Sequence, residues 1–381
     1  MGEMSKTWTI DAEGVLTIWQ GFRKRKGTPD FYARREEIRA IVVEEGVSEI
    51  GDGWFSYLNE VREITLPTTL RRIGKSAFAS CQRLKEVSIP EGEEELAESA
   101  FQDCSHVRRF HLPATLRRIG YLALHVCDGR LLSIDVAKGN EHFTSKHGVL
   151  YNHDMTTIMQ YPCAKRRKEY SIPATVRTIA EDCFSHARHL EHVNLPEGLN
   201  AMGGSAFGFC RKLKRMWVPD GVRVIPGYAF FCCVSLTELR LPERLDGLGF
   251  EAFTFCPLTE FRIPQGIQML DYAVLANTLI REIAIPESVT EINNSAFYEC
   301  EHLQKVVLPK TLQSIWEKAF CYCRSLTEIE IPAEVWHITD DVFEGCTNLR
   351  RIILHSKAID SLCWVPEGVE LIQETGDDRR H

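Results

Sequence analysis

Apolar positions recur along this chain in a pattern that repeats about every 23 residues. The copy from Leu303 to Ser325, LQKVVLPKTLQSIWEKAFCYCRS, shows the order, and Leu326 begins the next copy. A V-x-L segment is followed by proline, then by L-x-x-I, then by an alanine–phenylalanine pair and finally by a cysteine. The proline position can be followed through Pro67, Pro90, Pro113, Pro173, Pro196, Pro219, Pro242, Pro264, Pro286, Pro309 and Pro332. Repetition at this length predicts a solenoid, in which each repeat forms one turn.

Each position of the repeat has a structural interpretation. Val306 and Leu308 alternate with outward positions, which is the period of a strand with one buried face. Pro309 ends the strand because proline has no N–H to donate to a neighbouring strand. The Ala319–Phe320 pair supplies one small and one large residue to fill the space between stacked turns. The pattern predicts a solenoid of α/β type that is mostly β, with one short strand per repeat on the concave side of a curved array.

Departures from the repeat divide the chain into predicted segments. Residues 1–37 are expected to form an N-terminal capping hairpin, residues 38–355 the repeats, and residues 356–381 a C-terminal cap with a frayed tail. The hairpin would cover the first turn with apolar side chains, namely those of Trp8, Ile10, Leu16, Ile18 and Trp19. The proline spacing opens to 60 residues after Pro113, which indicates a hairpin-bearing long repeat at about residues 137–170. We interpret that insertion equally as a binding element or as a structural hairpin.

Composition narrows the classes of function. The chain has 381 residues, of which 44% are hydrophobic, and a formal net charge of −8. Nucleic acid is not an expected partner of an acidic chain, because its phosphates attract basic surfaces. No apolar run approaches the roughly 20 residues that cross a bilayer, and the start MGEMSKTWTIDAEG lacks the apolar core of a signal peptide. We expect no membrane insertion and a cytoplasmic location, with the cell surface or secretion as the alternative if a signal peptide has been removed.

Most of the 14 cysteines share one position of the repeat, three residues after its large core residue. This position holds Cys81, Cys104, Cys127, Cys210, Cys233, Cys256, Cys300, Cys323 and Cys346. Neighbouring members would be about 4.8 Å apart, outside the roughly 3.5–4.5 Å between Cβ atoms of a disulfide, so we predict a column of buried thiols. Asn277 is assigned to the same position, which indicates a need for a group that bonds the turn backbone. The remaining cysteines are Cys163, Cys183, Cys232, Cys321 and Cys363, and so many unpaired thiols favour a reducing compartment.

With these positions identified, the chain resembles the BspA-type leucine-rich repeat family. The resemblance covers about residues 38–355 and is carried by copies such as LPTTLRRIGKSAFASC, IPATVRTIAEDCF and IPESVTEINNSAFYEC. It implies a leucine-rich repeat array. Members of the family are mostly bacterial, often lie at the cell surface, and are associated with adhesion or protein binding. The family has no shared active site, so the resemblance implies no catalytic residues. This sequence differs from the secreted members of the family in that we expect no export signal.

The middle residue of each V-x-L segment is predicted to face outward on the strand row. Trp217 stands out in this column. Four residues flank it, and they are His192, Arg215, Arg240 and Arg262. An exposed tryptophan among arginines is typical of a protein interface, so we predict a protein-binding site at these five residues. The alternative is that Trp217 packs along the aliphatic parts of its neighbours.

The column before the buried valine is largely acidic. It contains Glu63, Glu86, Glu169, Glu238, Glu260, Glu282 and Glu328. Like charges stacked at strand spacing repel each other unless neighbours compensate, and basic residues such as Lys85 and Lys214 stand one position earlier. The column is interpreted either as a solvated, charge-balanced face or as a surface for a basic partner.

Motifs for catalysis or metal binding give no positive indication. The spacing Cys183-x-x-His186-x-x-His189-x-x-His192 suggests metal ligands, but these residues fall on different faces of the predicted turn and would not converge on one ion. We find no phosphate loop, no G-x-S-x-G, no H-E-x-x-H and no calcium-loop spacing. The sequence thus favours a non-enzymatic protein-binding module without cofactor or metal, either an intracellular scaffold or sensor or a bacterial adhesin that binds host or other bacterial proteins.

Overall fold

The computed structural model describes residues 7–22, 29–126, 129–355 and 365–373, and these consist of short strands joined by turns. Their one helical segment is the 3-10 segment Asp30–Glu37. The chain forms two compact units, one of residues 1–166 and 186–188 and one of residues 167–185 and 189–381. Each unit is built from repeated solenoid turns that contain short β-strands, as in leucine-rich repeat proteins. The prediction of a mostly β solenoid is therefore confirmed.

Fourteen strands belong to the first unit. They are β1 (Trp8–Ile10), β2 (Val15–Ile18), β3 (Ala40–Val43), β4 (Glu49–Ile50), β5 (Glu63–Thr65), β6 (Arg72–Ile73), β7 (Glu86–Ser88), β8 (Glu95–Leu96), β9 (Arg109–Leu112), β10 (Arg118–Ile119), β11 (Ser133–Val136), β12 (Phe143–Lys146), β13 (Val149–Asn152) and β14 (Thr157–Gln160). β1 and β2 form an antiparallel hairpin, and β2, β3 and β5 continue it in parallel. β7, β9 and β11 form the next parallel sheet, while β4, β6, β8 and β10 form a second row of parallel pairs.

The long repeat folds as an antiparallel meander of β12, β13 and β14. Asn140 anchors its start, because its buried amide donates to the carbonyl oxygens of Pro113 and Leu116, both at 2.9 Å. The same side chain accepts from the backbone N–H of Phe143 at 2.7 Å. Tyr151 of the meander is fully buried. The insertion is thus packed into the first unit through its own apolar side chains.

The second unit continues with seventeen strands. They are β15 (Glu169–Ser171), β16 (Thr178–Ile179), β17 (His192–Asn194), β18 (Ala201–Met202), β19 (Arg215–Trp217), β20 (Val224–Ile225), β21 (Glu238–Arg240), β22 (Gly247–Leu248), β23 (Met269–Leu270), β24 (Glu282–Ala284), β25 (Glu291–Ile292), β26 (Lys305–Val307), β27 (Ser314–Ile315), β28 (Glu328–Ile331), β29 (His337–Ile338), β30 (Arg351–Leu354) and β31 (Glu370–Gln373). β15, β17, β19 and β21 form one parallel sheet, and β24 pairs with β26. Residues 259–264, between these two sheets, form no strand.

Stacked phenylalanines fill the interior of both units. In the first unit the rings of Phe78 and Phe101 are parallel within 1°, with their centres 5.0 Å apart. In the second unit Phe297 and Phe320 stack at 5.2 Å with an angle of 3°. All four side chains are fully buried. Each turn therefore covers the ring of its neighbour, which makes stability a property of adjacent turns rather than of single repeats.

The thiol column forms as predicted and has a defined bonding role. Each thiol donates to the carbonyl oxygen of the large core residue one turn earlier, as Cys233 does to Phe207 at 3.2 Å. The other described members are Cys81, Cys104, Cys210, Cys256, Cys300, Cys323 and Cys346, with Sγ–O distances of 3.0–3.2 Å. All twelve described cysteines are free. Burial raises the pKa of Cys81 to about 12 and that of Cys300 to about 11. Cys127 and Cys363 lie outside the described residues.

The assignment of Asn277 to the thiol position is wrong. Thr278 occupies it, because Cys300 lies above Thr278 with 3.3 Å between Sγ and Oγ1. Thr278 is buried and its hydroxyl donates to the carbonyl of Leu275 at 2.9 Å, whereas Asn277 is only half-buried. The missing residue of this short repeat falls after the thiol position and not before it.

Candidate binding groove

Trp217 projects from β19 into solvent. Met216, at the centre of the strand, is buried, so the residues on either side of it face outward. The side chain of Trp217 is 59% exposed. The guanidinium carbon of Arg215 lies 5.4 Å from the centre of the indole ring, within range of a cation–π interaction. Arg215 therefore holds the ring from one side and leaves most of its surface open to a ligand.

The parallel register sets the neighbours of Trp217. Arg240 of β21 is its direct partner on the next turn, and Glu238 is the partner of Arg215. On the preceding turn His192 pairs with Arg215. Arg262, one turn beyond Arg240, is exposed but lies in residues 259–264, which form no strand. The five residues predicted as a site thus lie on four consecutive turns of the second unit.

Two adjoining depressions lie along these turns. The first, of about 230 Å³, is lined by residues including Arg215, Trp217, Arg240, Glu197, Pro219 and Asp220. The second, of about 590 Å³, is lined by residues including Asp220, Arg240, Arg262, Pro242, Glu243 and Phe261. They share Asp220 and Arg240. We call the two depressions together the arginine groove.

The arginines of the groove differ from several other basic residues of the second unit. Arg223 binds Asp246 at 2.7 Å and Arg351 binds Glu328 at 2.6 Å, each pair joining neighbouring turns. Among the described residues Arg215, Arg240 and Arg262 have no such acidic partner within 4.0 Å. Their guanidinium groups therefore remain available to bind a ligand.

His192 has a different environment from the other four predicted residues. It is half-buried and lines neither depression. Its Nδ1 atom is buried, and no hydrogen-bond partner lies among the described residues. In the His-rich stretch, Cys183 is buried within its own turn, and the ring centre of His186 lies 6.3 Å from that of His125. No group of three or more potential metal ligands converges in the part of the chain that the structure describes.

Sequence reasoning missed three of the carboxylates that line the groove. Glu197, Asp220 and Glu243 each follow the proline that ends a strand, and all three line the depressions. Their shared position after proline was the available signal. Phe261, which stands at the valine position of its repeat, also lines the groove and makes an edge contact with Phe253 at 5.2 Å.

A third depression lies further along the same unit, at β26 and β28. Its volume is about 880 Å³, and its lining includes Val307, Ile329, Lys305, Lys310 and Glu330. Its described lining contains no aromatic side chain other than His355, so it lacks the anchor that Trp217 gives the arginine groove. Among the described residues we also find no helix long and apolar enough to cross a membrane.

Comparison with known proteins places these features in a family. A family model described as a BspA type leucine rich repeat region matches residues 28–147, 160–281 and 270–363, with six copies. No curated protein matches the chain.

Several solved bacterial structures share the fold. A leucine-rich repeat protein from Eubacterium ventriosum is 22% identical, with a TM-score of 0.64 over 89% of this chain and 92% of that one. The pneumococcal vaccine antigen PcpA is 21% identical, with a TM-score of 0.57 over 95% and 79% of the two chains. A leucine-rich repeat protein from Bacteroides ovatus is 20% identical, with a TM-score of 0.51 over 97% and 98%. From the repeated turns and the match of the family model, the chain belongs to the BspA-type leucine-rich repeat family.

Proposed function

We propose that this protein is a non-enzymatic binding module whose arginine groove receives a protein partner. The observation that carries the proposal is the exposed ring of Trp217 beside three arginines without acidic partners. Tryptophan and arginine dominate the binding energy of protein interfaces, because they combine a large contact area with fixed hydrogen-bond donors. Leucine-rich repeat solenoids generally mediate protein interactions.

The lining of the groove supports binding rather than catalysis. Among the residues that the structure describes, it contains no serine, cysteine, histidine or lysine. A serine or cysteine nucleophile with a histidine or lysine base is therefore not assembled there. The buried thiols contact backbone carbonyls and are closed off from substrate, and burial raises the pKa of thiols such as Cys81.

The setting that we propose is an intracellular scaffold or sensor, supported by the free state of all twelve described cysteines. A bacterial adhesin is the second candidate, and the similar structure of PcpA, a vaccine antigen, favours it. Protease treatment of intact native cells separates the two settings. An adhesin would be digested, whereas an intracellular protein would survive until the cells are lysed.

Affinity capture from a lysate of the native organism tests the binding function. Wild type is compared with the double variant Trp217→Ala/Arg240→Ala and with Trp336→Ala, which removes an equally exposed tryptophan, 58% exposed, away from the groove. We expect the same partner with wild type and with Trp336→Ala, and its loss with the double variant. Equal capture by all three proteins would show that the groove does not bind the partner.

A further inference from the structure

The charged side chains of the first depression are balanced in number. Two guanidinium groups line it, those of Arg215 and Arg240, and so do two carboxylates, those of Glu197 and Asp220. Among the described residues, none of these four side chains forms an ion pair or a hydrogen bond. A ligand of either charge would therefore meet repulsion as well as attraction in this space, whereas a neutral ligand meets no repulsion.

The second depression is more acidic than the first. Only two arginines line it, Arg240 and Arg262, and they share its lining with the carboxylates of Asp220, Glu243, Glu260 and Glu282. An anionic chain that extended from the first depression into the second would approach this excess of carboxylates. The balanced part of the groove is thus the first depression, which also contains Trp217.

Neighbouring hydroxyl groups on a ligand would match the polar groups of the first depression. A carboxylate only accepts hydrogen bonds and a guanidinium only donates them, whereas a hydroxyl does both. Asn194 adds an acceptor, because its amide nitrogen donates to Glu169 at 2.9 Å and to Ser171 at 3.0 Å, while its carbonyl oxygen has no such partner among the described residues. A ligand with several hydroxyls can therefore make charge-assisted hydrogen bonds to both kinds of charged group.

Trp217 supplies a flat apolar surface in the same depression. Its side chain is 59% exposed, and the guanidinium carbon of Arg215 lies 5.4 Å from the centre of the ring. The face of an aromatic ring is negatively polarised, so it attracts C–H groups whose carbons are bonded to oxygen. The face of a sugar ring consists of such C–H groups, and its hydroxyls lie around the rim. A sugar ring on Trp217 would thus direct its hydroxyls towards the side chains that surround the indole.

We propose, building on the proposed function, that the first depression binds a neutral sugar unit of a glycan carried by the protein partner. The sugar ring stacks on Trp217, and its hydroxyls donate to Glu197 and Asp220 and accept from Arg240. A peptide main chain matches these groups less well, because each N–H only donates and each carbonyl only accepts, whereas a hydroxyl rotates to suit either partner.

Binding of the full chain to neutral glycans tests this inference. The dye-labelled protein is applied to an array of glycans that end in glucose, galactose, mannose or N-acetylglucosamine, together with sulfated and sialylated versions of each, and calorimetry measures the affinity of those that bind. We expect at least one neutral glycan to bind, its acidic versions to bind at least about tenfold more weakly, and a tenfold rise in salt to change the affinity by less than about twofold. Binding of no neutral glycan, tighter binding of the acidic versions, or a strong dependence on salt would overturn the inference.

Substitutions in the first depression locate the contact. Trp217→Ala and Asp220→Ala should each weaken the neutral glycan at least about tenfold, while Trp217→Phe, which keeps an aromatic face, should lose less than Trp217→Ala. Glu287→Ala is the matched control for Asp220→Ala, because Glu287 is also exposed and follows a proline, but lies outside the groove. Wild-type affinity in Trp217→Ala or in Asp220→Ala would contradict the inference.

Enzymatic removal of glycans from the native lysate separates this inference from the proposed function. We expect wild-type protein to lose its partner when the lysate has been deglycosylated. If the deglycosylated partner is still captured by wild type and is lost with Trp217→Ala/Arg240→Ala, the inference fails and the proposed function stands. Equal capture by wild type and the double variant from the untreated lysate would overturn both.

Discussion

Glu93 occupies a position that is apolar in the two neighbouring repeats. The same position holds Leu70 in the preceding turn and Leu116 in the following one. Glu93 is fully buried, and one of its carboxyl oxygens accepts from the backbone N–H of Ile73 at 3.1 Å. Its second oxygen has no hydrogen-bond partner among the described residues. Burial raises the pKa of this carboxyl to about 7, although backbone N–H groups and the nearby Arg71 and Arg72 oppose the shift.

This raised pKa makes stability depend on pH in a predictable direction. The folded protein holds the proton of Glu93 up to about pH 7, whereas the unfolded chain releases it near the ordinary glutamate pKa of 4.5. The contribution of Glu93 is therefore greatest below pH 4.5 and is lost as the pH rises through 7. We expect the unfolding free energy of wild type to fall between pH 5 and pH 8, and that of Glu93→Gln to fall by about 1–3 kcal/mol less.

Urea unfolding at several pH values measures this effect. Glu94→Gln changes the exposed neighbouring carboxylate and should keep the pH dependence of wild type. Glu93→Leu, which restores the apolar residue of the column, should raise Tm at pH 8. An identical pH dependence in wild type and Glu93→Gln would show that Glu93 does not ionise in this range.

At the scale of the elements, the hydrogen bond made by each buried thiol can be tested at Cys233. The carbonyl of Phe207 accepts from the thiol of Cys233, and Thr278 shows that a hydroxyl fits the same position. Threonine and valine have similar shapes, but only threonine can donate. We expect Cys233→Thr to be more stable than Cys233→Val by about 0.5–1.5 kcal/mol in denaturant unfolding. Equal stability of the two variants would mean that the thiol column acts through packing alone.

Truncating one of the stacked phenylalanines should cause a larger loss of stability than replacing a thiol. Phe320 is fully buried between Phe297 and Phe343. Phe320→Ala should lower the unfolding free energy by about 3–5 kcal/mol, because it removes apolar contact and leaves a cavity between turns. Calorimetry or urea unfolding provides the measurement, with the exposed Trp336→Ala as the control that changes stability little. A small loss in Phe320→Ala would contradict the stacked interior.

The sequence predicted the elements well where side chains repeat with the turn. Strands such as β19 and β26 follow from the V-x-L alternation, and burial of Phe320 follows from its fixed place in the repeat. The error at Asn277 arose because a one-residue deletion fits on either side of the thiol position in a single sequence. The contacts of Cys300 show on which side it falls, because its thiol donates to the carbonyl of Leu275 and lies against the hydroxyl of Thr278.

At the scale of the whole molecule, the candidate site was predictable only in part. The strand register brought Trp217 next to Arg240, as the repeat period required. Glu260 and Glu282 belong to the acidic column that the sequence identified, whereas Asp220 and Glu243 were missed because they lie in turns, where the hydrophobic pattern does not predict which side chains line a depression. The depth of a groove depends on how far these turns extend from the strands, which is set by packing rather than by the period of the repeat.

The affinity of the captured partner for wild type and for Trp217→Ala tests the binding function most directly, and titration calorimetry provides it. The account predicts a loss of at least about 1 kcal/mol, or roughly fivefold in Kd, with Tm unchanged and with Trp336→Ala equal to wild type. Equal affinity of Trp217→Ala and wild type would contradict the account.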